Sequence, residues 1–247
     1  MSRLDPEIKF EVIAPRSGES LATSEVYLFA EQDYNLGDFL SLKDLRHKLS
    51  EEFKLYQLAS ALPDLNSVDQ FAAKLGSYFE GFSTRKMTAI GIGAGGTLVQ
   101  DLAIRYPKLV RRVILINATT RICPSLGTRM IDWIESHLPL GLPLRKLSKA
   151  FDSRPELHRV RCPALIVTLP RATHFETAQA ELLVNAIPNA YAAKVTAVEN
   201  VSDKLFNLID EFQNVSIKCP ATSARQVKAQ TGLGKEFYSD YPQGSGV

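Results

Sequence analysis

An α/β domain with a mostly parallel sheet, helices on both faces and a short helical cap is predicted for residues 1–214 of this 247-residue chain. Three observations predict it. Short β-branched or aromatic runs alternate with amphipathic segments, a pattern that builds a parallel sheet through right-handed crossovers. The runs Arg112–Ile116 (RVILI) and Ala164–Leu169 (ALIVTL) are almost continuously apolar, as suits parallel strands covered on both faces. The chain is also long enough to bury a substantial core.

The elements follow in order. Lys9–Ala14 and Glu25–Ala30 read as strands. Residues 41–53 read as a helix with Leu42, Leu45 and Leu49 on one face, Ser41 as its N-cap and Asp44 three residues on. Lys54–Ala59 is a third strand, and Asn66-Ser67-Val68-Asp69 opens a helix that runs to about Phe82 with Val68, Phe71, Leu75 and Phe79 in register. Met87–Ile92 is a strand, Gly93–Gly96 a tight turn, and Thr97–Arg105 a helix stopped by Pro107. After the strand at 112–116, residues of about 119–161 interrupt the alternation with helical segments near 128–138 and 144–151. They are expected to form a small cap above the sheet. The alternation resumes with the strand at 164–169, a helix at Phe175–Ile187, a strand at Ala192–Val198 and a helix at Asp203–Phe212. Residues 215–247 are rich in Gly, Pro and Ser, show no periodicity and read as an extended tail. No internal repeat is present.

Composition excludes several function classes. A net charge of +2 and a pI near 8.4 are too mild for a nucleic-acid footprint. No apolar run reaches the ~18 residues of a membrane span, and the opening MSRLDPEIKFEVIAP lacks the pattern of a secretory signal or an Arg-rich presequence. Cys123, Cys162 and Cys219 are odd in number, far apart and each followed by proline. They read as structural thiols in a reducing compartment, which predicts an intracellular, cytoplasmic location and leaves an organelle-located assembly open. No metal site and no cofactor are expected.

The stretch TAIGIGAGGTLVQDLAIRYP, residues 88–107, carries the functional question. Gly91 to Gly96 fit G-x-G-x-x-G, a dinucleotide-phosphate loop. That reading requires an acid at the end of the next strand to hold the ribose hydroxyls, and the strand ends at Asn117. The motif would also normally follow the first strand of its domain, whereas three strands precede it here. The other reading is the strand–elbow–helix of an α/β-hydrolase, where G-x-S-x-G puts a serine on a sharp turn. Aligning Gly91, Gly93 and Gly95 puts Gly93 in the serine position, where no alkoxide can form. Thr97 falls in the following helix and cannot substitute. The acid slot, residues 169–175, holds no Asp, and Glu176 is the only acid nearby. The base slot, residues 199–203, holds no His; His47, His137, His158 and His174 fall elsewhere. The oxyanion-loop position reads Ala30-Glu31-Gln32-Asp33, and a carboxylate there would oppose an oxyanion. Asp33, Asp64, Asp203 and His174 read as solvated or capping groups. An α/β-hydrolase-like fold with no catalytic residues is therefore expected, with Gly91, Gly93, Gly95 and Gly96 forming a degenerate elbow. An enzyme with unrecognised catalytic residues beneath the cap and a dinucleotide-binding protein remain the alternatives.

On these residues the chain resembles the Ndr (N-Myc downstream-regulated) family. Gly91-Ile-Gly-Ala-Gly-Gly96 is similar to that family's G-x-G-x-G-A elbow, and Ser67-Val-Asp-Gln-Phe-Ala72-Ala73 to its S-M-D-Q-L-A. Val113–Asn117 matches L-V-L-I-N, Ile131-Asp-Trp133 is similar to M-D-W, and Asp152-Ser-Arg154 and Cys162–Leu165 to N-S-R and C-P-A-L. The order is kept over residues 9–212. The cap is shorter than the family's, and the H-D after its first long strand is absent. The resemblance implies an α/β-hydrolase fold without catalytic machinery, acting as an intracellular adaptor.

The tail can bury little apolar surface by itself. If it is ordered, Phe237, Tyr238 and Tyr241 are the expected anchors on another protein chain.

Overall fold

The computed structural model describes residues 10–13, 25–30, 42–58, 68–82, 86–120, 152–170, 172–196 and 199–214. Within them the strands are β1 (Phe10–Ile13), β2 (Glu25–Phe29), β3 (Lys54–Leu58), β4 (Met87–Ile92), β5 (Val110–Ile116), β6 (Ala164–Thr168) and β7 (Ala190–Lys194). The helices are α1 (Leu42–Glu52), α2 (Val68–Phe82), α3 (Ala94–Arg105), α4 (His174–Ala186) and α5 (Val201–Asn214), with a 3-10 turn at Arg154–Arg159. The expected helical segments near 128–138 and 144–151, Ser41, and the tail lie outside the described residues.

The strands form one seven-stranded sheet in the order β1-β3-β2-β4-β5-β6-β7. All pairs are parallel except β1 with β3. The period of two along each strand sorts side chains between the faces. On β5, Val113 and Leu115 join the core under α2, α3 and α4, including Leu75, Phe79, Leu98, Leu102 and Leu183. Ile114 and Ile116 join the opposite core under α1 and α5, including Leu45, Leu49, Leu205, Ile209 and Phe212. Each fully buried Leu or Ile stabilises by roughly 2 kcal/mol, so both faces need their helices.

On α2 the buried stripe is Val68, Ala72, Leu75 and Phe79, whereas Phe71 is only partly buried. Several boundaries differ from the sequence expectation, among them these three. Helix α3 begins at Ala94 instead of Thr97, so the turn is the single residue Gly93; Gly95 and Gly96 are helical. Strand β5 begins at Val110, because Arg112 is buried within it and does not mark its end. Strand β7 is Ala190–Lys194 instead of Ala192–Val198. The turn after α4 is short, and Ala164 N donates to Asn189 O at 2.9 Å, so pairing starts on alanines whose weak strand preference hid them.

Chain β2 runs outward to β3 and returns to β4 on the other side of β2. The carboxyl ends of β2 and β4 thus border a topological switch point, where open α/β sheets hold their sites.

Candidate functional site

Gly93 links β4 to α3 at that point, with φ 55 and ψ −120. A positive φ with extended ψ is a conformation L side chains rarely adopt, and it makes the strand-to-helix turn sharp. Gly93 N donates to Ile116 O at 3.0 Å, and Gly96 N donates to Gly93 O at 3.0 Å. The neighbouring glycines serve close approach instead. A Cβ on Gly95 would lie 2.0 Å from the Phe29 carbonyl oxygen, and one on Gly96 would lie 2.3 Å from Ala118 Cβ. One on Gly91 would meet Gly96 Cα at 2.6 Å. The room made by these glycines is filled by the chain's own atoms.

The described polar side chains near the elbow bond to their own fold. Thr97 is buried and donates its hydroxyl to Ala94 O at 2.7 Å, so it faces its own helix. Asn117, at the end of β5, also has positive φ, at 45. Its Oδ1 accepts from Leu169 N at 2.9 Å, and its Nδ2 approaches Glu176 Oε1 at 3.5 Å. Glu176, nearest to the acid slot, closes a capping box on α4: its Oε2 accepts from Thr173 N at 2.7 Å and from Thr173 Oγ1 at 2.9 Å. That carboxylate satisfies the helix start.

A second polar group spans the ends of the expected cap insertion. Gln100, Thr120 and Ser153 are all buried. The Ser153 hydroxyl lies 2.6 Å from Gln100 Oε1 and 3.1 Å from Thr120 O, while Ser153 N donates to Thr120 O at 3.0 Å. Gln100 Nε2 donates to Thr119 O at 3.0 Å. Thr120 N and Oγ1 both donate to Gln179 Oε1, at 2.9 and 2.6 Å. This seam was not foreseen from sequence. Its one local signal is a buried Gln on the helix that follows the elbow.

The solved structures place this geometry. Against the enol-lactonase from Burkholderia xenovorans LB400 the chain has a TM-score of 0.59 at 16% identity, covering 84% of this chain and 96% of that one. Against the α/β hydrolase MGS-M2 from a deep-sea metagenome library the TM-score is 0.60 at 14% identity, covering 87% and 97%. No protein-family model matches. Among curated proteins the chain is 38% identical over 94 residues to Protein NDRG4-A of Xenopus laevis, and 35% identical over 94 residues to Protein NDRG4 of Xenopus tropicalis. The chain has the α/β-hydrolase fold, and over these 94 residues it is similar to Ndr-family proteins. The match spans 37% of this chain and 23% of the Xenopus laevis relative.

Three histidines of this chain are described, and none of them stands at the end of β7. His47 on α1 lies 3.3 Å from Glu51, and His158 and His174 are exposed on the 3-10 turn and at the start of α4. Asp203 on α5 pairs with Lys48. His137, Asp33, Asp64, Phe237, Tyr238 and Tyr241 lie outside the described residues. Among the described residues no group of three or more His, Cys, Asp or Glu could hold a metal ion, and no helix is long and apolar enough to cross a membrane.

Two buried charges lie away from the elbow. Asp101 on α3 accepts from Arg105 Nε at 2.9 Å through both oxygens. Burial pushes its carboxyl above the usual range, with Arg105 opposing that shift. Arg112 on β5 donates to the Gln213 carbonyl and lies 5.7 Å from the Phe212 ring. Burial, followed by repulsion from Arg111, lowers its guanidinium.

Proposed function

We propose that this chain is a non-catalytic pseudo-hydrolase that binds other protein chains, as an adaptor or as a structural subunit of a larger assembly. The observation that carries the reading is Gly93: the elbow keeps its backbone geometry, and the residue on it has no side chain. Loss of triad members costs several powers of ten in rate and leaves at best about 10³–10⁴-fold over water. The inward bonds of Thr97 and the capping role of Glu176 support the same reading. The proposed organisation is a domain at residues 1–214 with its cap insertion at about 119–161, followed by a binding tail at 215–247 anchored by Phe237, Tyr238 and Tyr241. An intracellular, cytoplasmic setting fits the three separate thiols.

A second reading, an enzyme with unrecognised residues, is favoured by the intact elbow backbone and by the lactonase whose fold the chain shares. Dinucleotide binding has less support, because the strand after the glycine run ends at Asn117, with no acid there to hold the ribose hydroxyls. Deleting the chain after Cys219 tests the adaptor reading. The far-UV circular dichroism and melting temperature should stay unchanged, while partner chains retained by the full-length protein are lost on co-purification. A truncated protein that unfolds, or that keeps its partners, contradicts it.

A further inference from the structure

Two sets of described cations contrast. Lys48, Lys54, Arg105, Arg154 and Arg159 each pair with a carboxylate. Lys86, Lys108, Arg111 and Arg161 are exposed, and no ion pair joins them to a described residue. These four are gathered on one edge of the fold. Met87 N donates to Leu109 O at 2.8 Å, which sets Lys86 beside Lys108 at the start of β5. Val113 N donates to Pro163 O at 3.0 Å, which brings Arg161 alongside Arg111. They therefore line the amino ends of three adjacent strands, β4, β5 and β6, across about 10 Å. This is the end of the sheet opposite the elbow.

The acids on the elements that pack there do not cancel these charges. Glu156 is taken by Arg159, Asp210 accepts from Asn214, and neither Glu80 on α2 nor Glu211 on α5 pairs with any of the four. The negative ends of α2, α3 and α5 offset part of the charge, at about half a charge each. Four cations within roughly a Debye length act together on an anion. Lys43, Lys194 and Lys204, also without a described ion pair, are scattered over α1, β7 and α5.

We propose that this rim of Lys86, Lys108, Arg111 and Arg161 docks an acidic segment of a partner protein chain. Among the described residues no exposed aromatic stands beside the four to stack bases as single-stranded nucleic-acid sites do. Among the described residues the large exposed apolar side chains, Val12 and Phe175, lie on β1 and at the start of α4, so neither accompanies the rim into a bilayer. An unstructured run of carboxylates requires neither. The inference takes its class of partner from the adaptor reading. The tail deletion examines a different segment, so either can fail alone.

The test is a fluorescence-anisotropy titration of the full-length protein with a labelled peptide of alternating Glu and Ser, at low and at physiological salt. Reversing all four rim charges (Lys86→Glu, Lys108→Glu, Arg111→Glu, Arg161→Glu) should weaken binding about tenfold or more, as expected for four exposed pairs. Reversing Lys43, Lys194 and Lys204 together should change it far less, and wild-type binding should fall as salt rises. If the reversed protein does not fold, the same four positions changed to Gln serve as the second variant. Absence of peptide binding, or equal loss in the scattered control, would overturn the proposal. So would tighter rim-dependent binding to oligothymidylate or to phosphatidylserine vesicles.

Discussion

At the carboxyl ends of β4–β6, buried Gln100, Thr120 and Ser153 bond to one another, and Glu176 closes the start of α4. At the amino ends of the same strands, Lys86, Lys108, Arg111 and Arg161 stand exposed without an ion-pair partner among the described residues. The difference is one of solvent. A buried polar group left unpaired costs about 1–3 kcal/mol, so the inner end has to satisfy itself. Exposed cations carry no such penalty and stay available. A catalytic fold normally presents its reactive groups at the carboxyl end. Here, among the described residues, the buried polar groups at that end bond to one another, and the cluster of four neighbouring unpaired cations sits at the other.

The largest expected effect comes from closing the gap beside the elbow. Gly95→Ala would drive a Cβ into the Phe29 carbonyl at 2.0 Å, and relief requires moving backbone. A loss of about 3 kcal/mol or more is expected in urea unfolding. Gly81→Ala near the end of α2 meets nothing within 4 Å and should instead gain up to about 1 kcal/mol. Similar losses at both sites would break the account of the elbow packing.

Gly93→Val follows, because a β-branched residue at φ 55 is strained. About 1–3 kcal/mol of destabilisation is expected. An unchanged melting temperature would show that the turn relaxes freely.

Ser153→Ala tests the seam. It leaves the Gln100 oxygen without its hydroxyl donor, for an expected cost of about 1–2 kcal/mol. Lys86→Gln at the rim should be neutral within roughly 0.5 kcal/mol. Equal effects would erase the contrast between the two ends.

The smallest effect is in pH. Asp101 has a raised native carboxyl pKa because it is buried, so the native state holds that proton more tightly than the unfolded chain. Its contribution to stability is full below the ordinary carboxylate value and is lost as pH rises through the native one. The advantage of the wild type over Asp101→Asn should therefore shrink as pH climbs through the weakly acidic range. An advantage that grows over that range would show that the Arg105 pair outweighs burial.

Much of this fold was legible in the sequence because period and punctuation agreed. RVILI marked a strand covered on both faces, and the turn glycines before TLVQDLAIR marked the elbow. The elbow's position relative to β4 and α3 was readable from Gly91, Gly93 and Gly95 alone. What could not be read was tertiary. Gly95 and Gly96 look like turn residues, yet they are helical, and close approach to Phe29 and Ala118 is what requires them. The partners of Gln100 lie on segments distant in sequence, so no local pattern reveals them. The rim is equally non-local: its four cations become neighbours only through the register of three strands.

The central claim, a hydrolase elbow without hydrolysis, is tested most directly by p-nitrophenyl ester hydrolysis with purified full-length protein, measured beside Gly93→Ser. The account predicts no turnover above buffer for either protein, since a restored hydroxyl at residue 93 would still lack a base to take its proton. Saturable turnover by the wild type, or its appearance in Gly93→Ser, would contradict it.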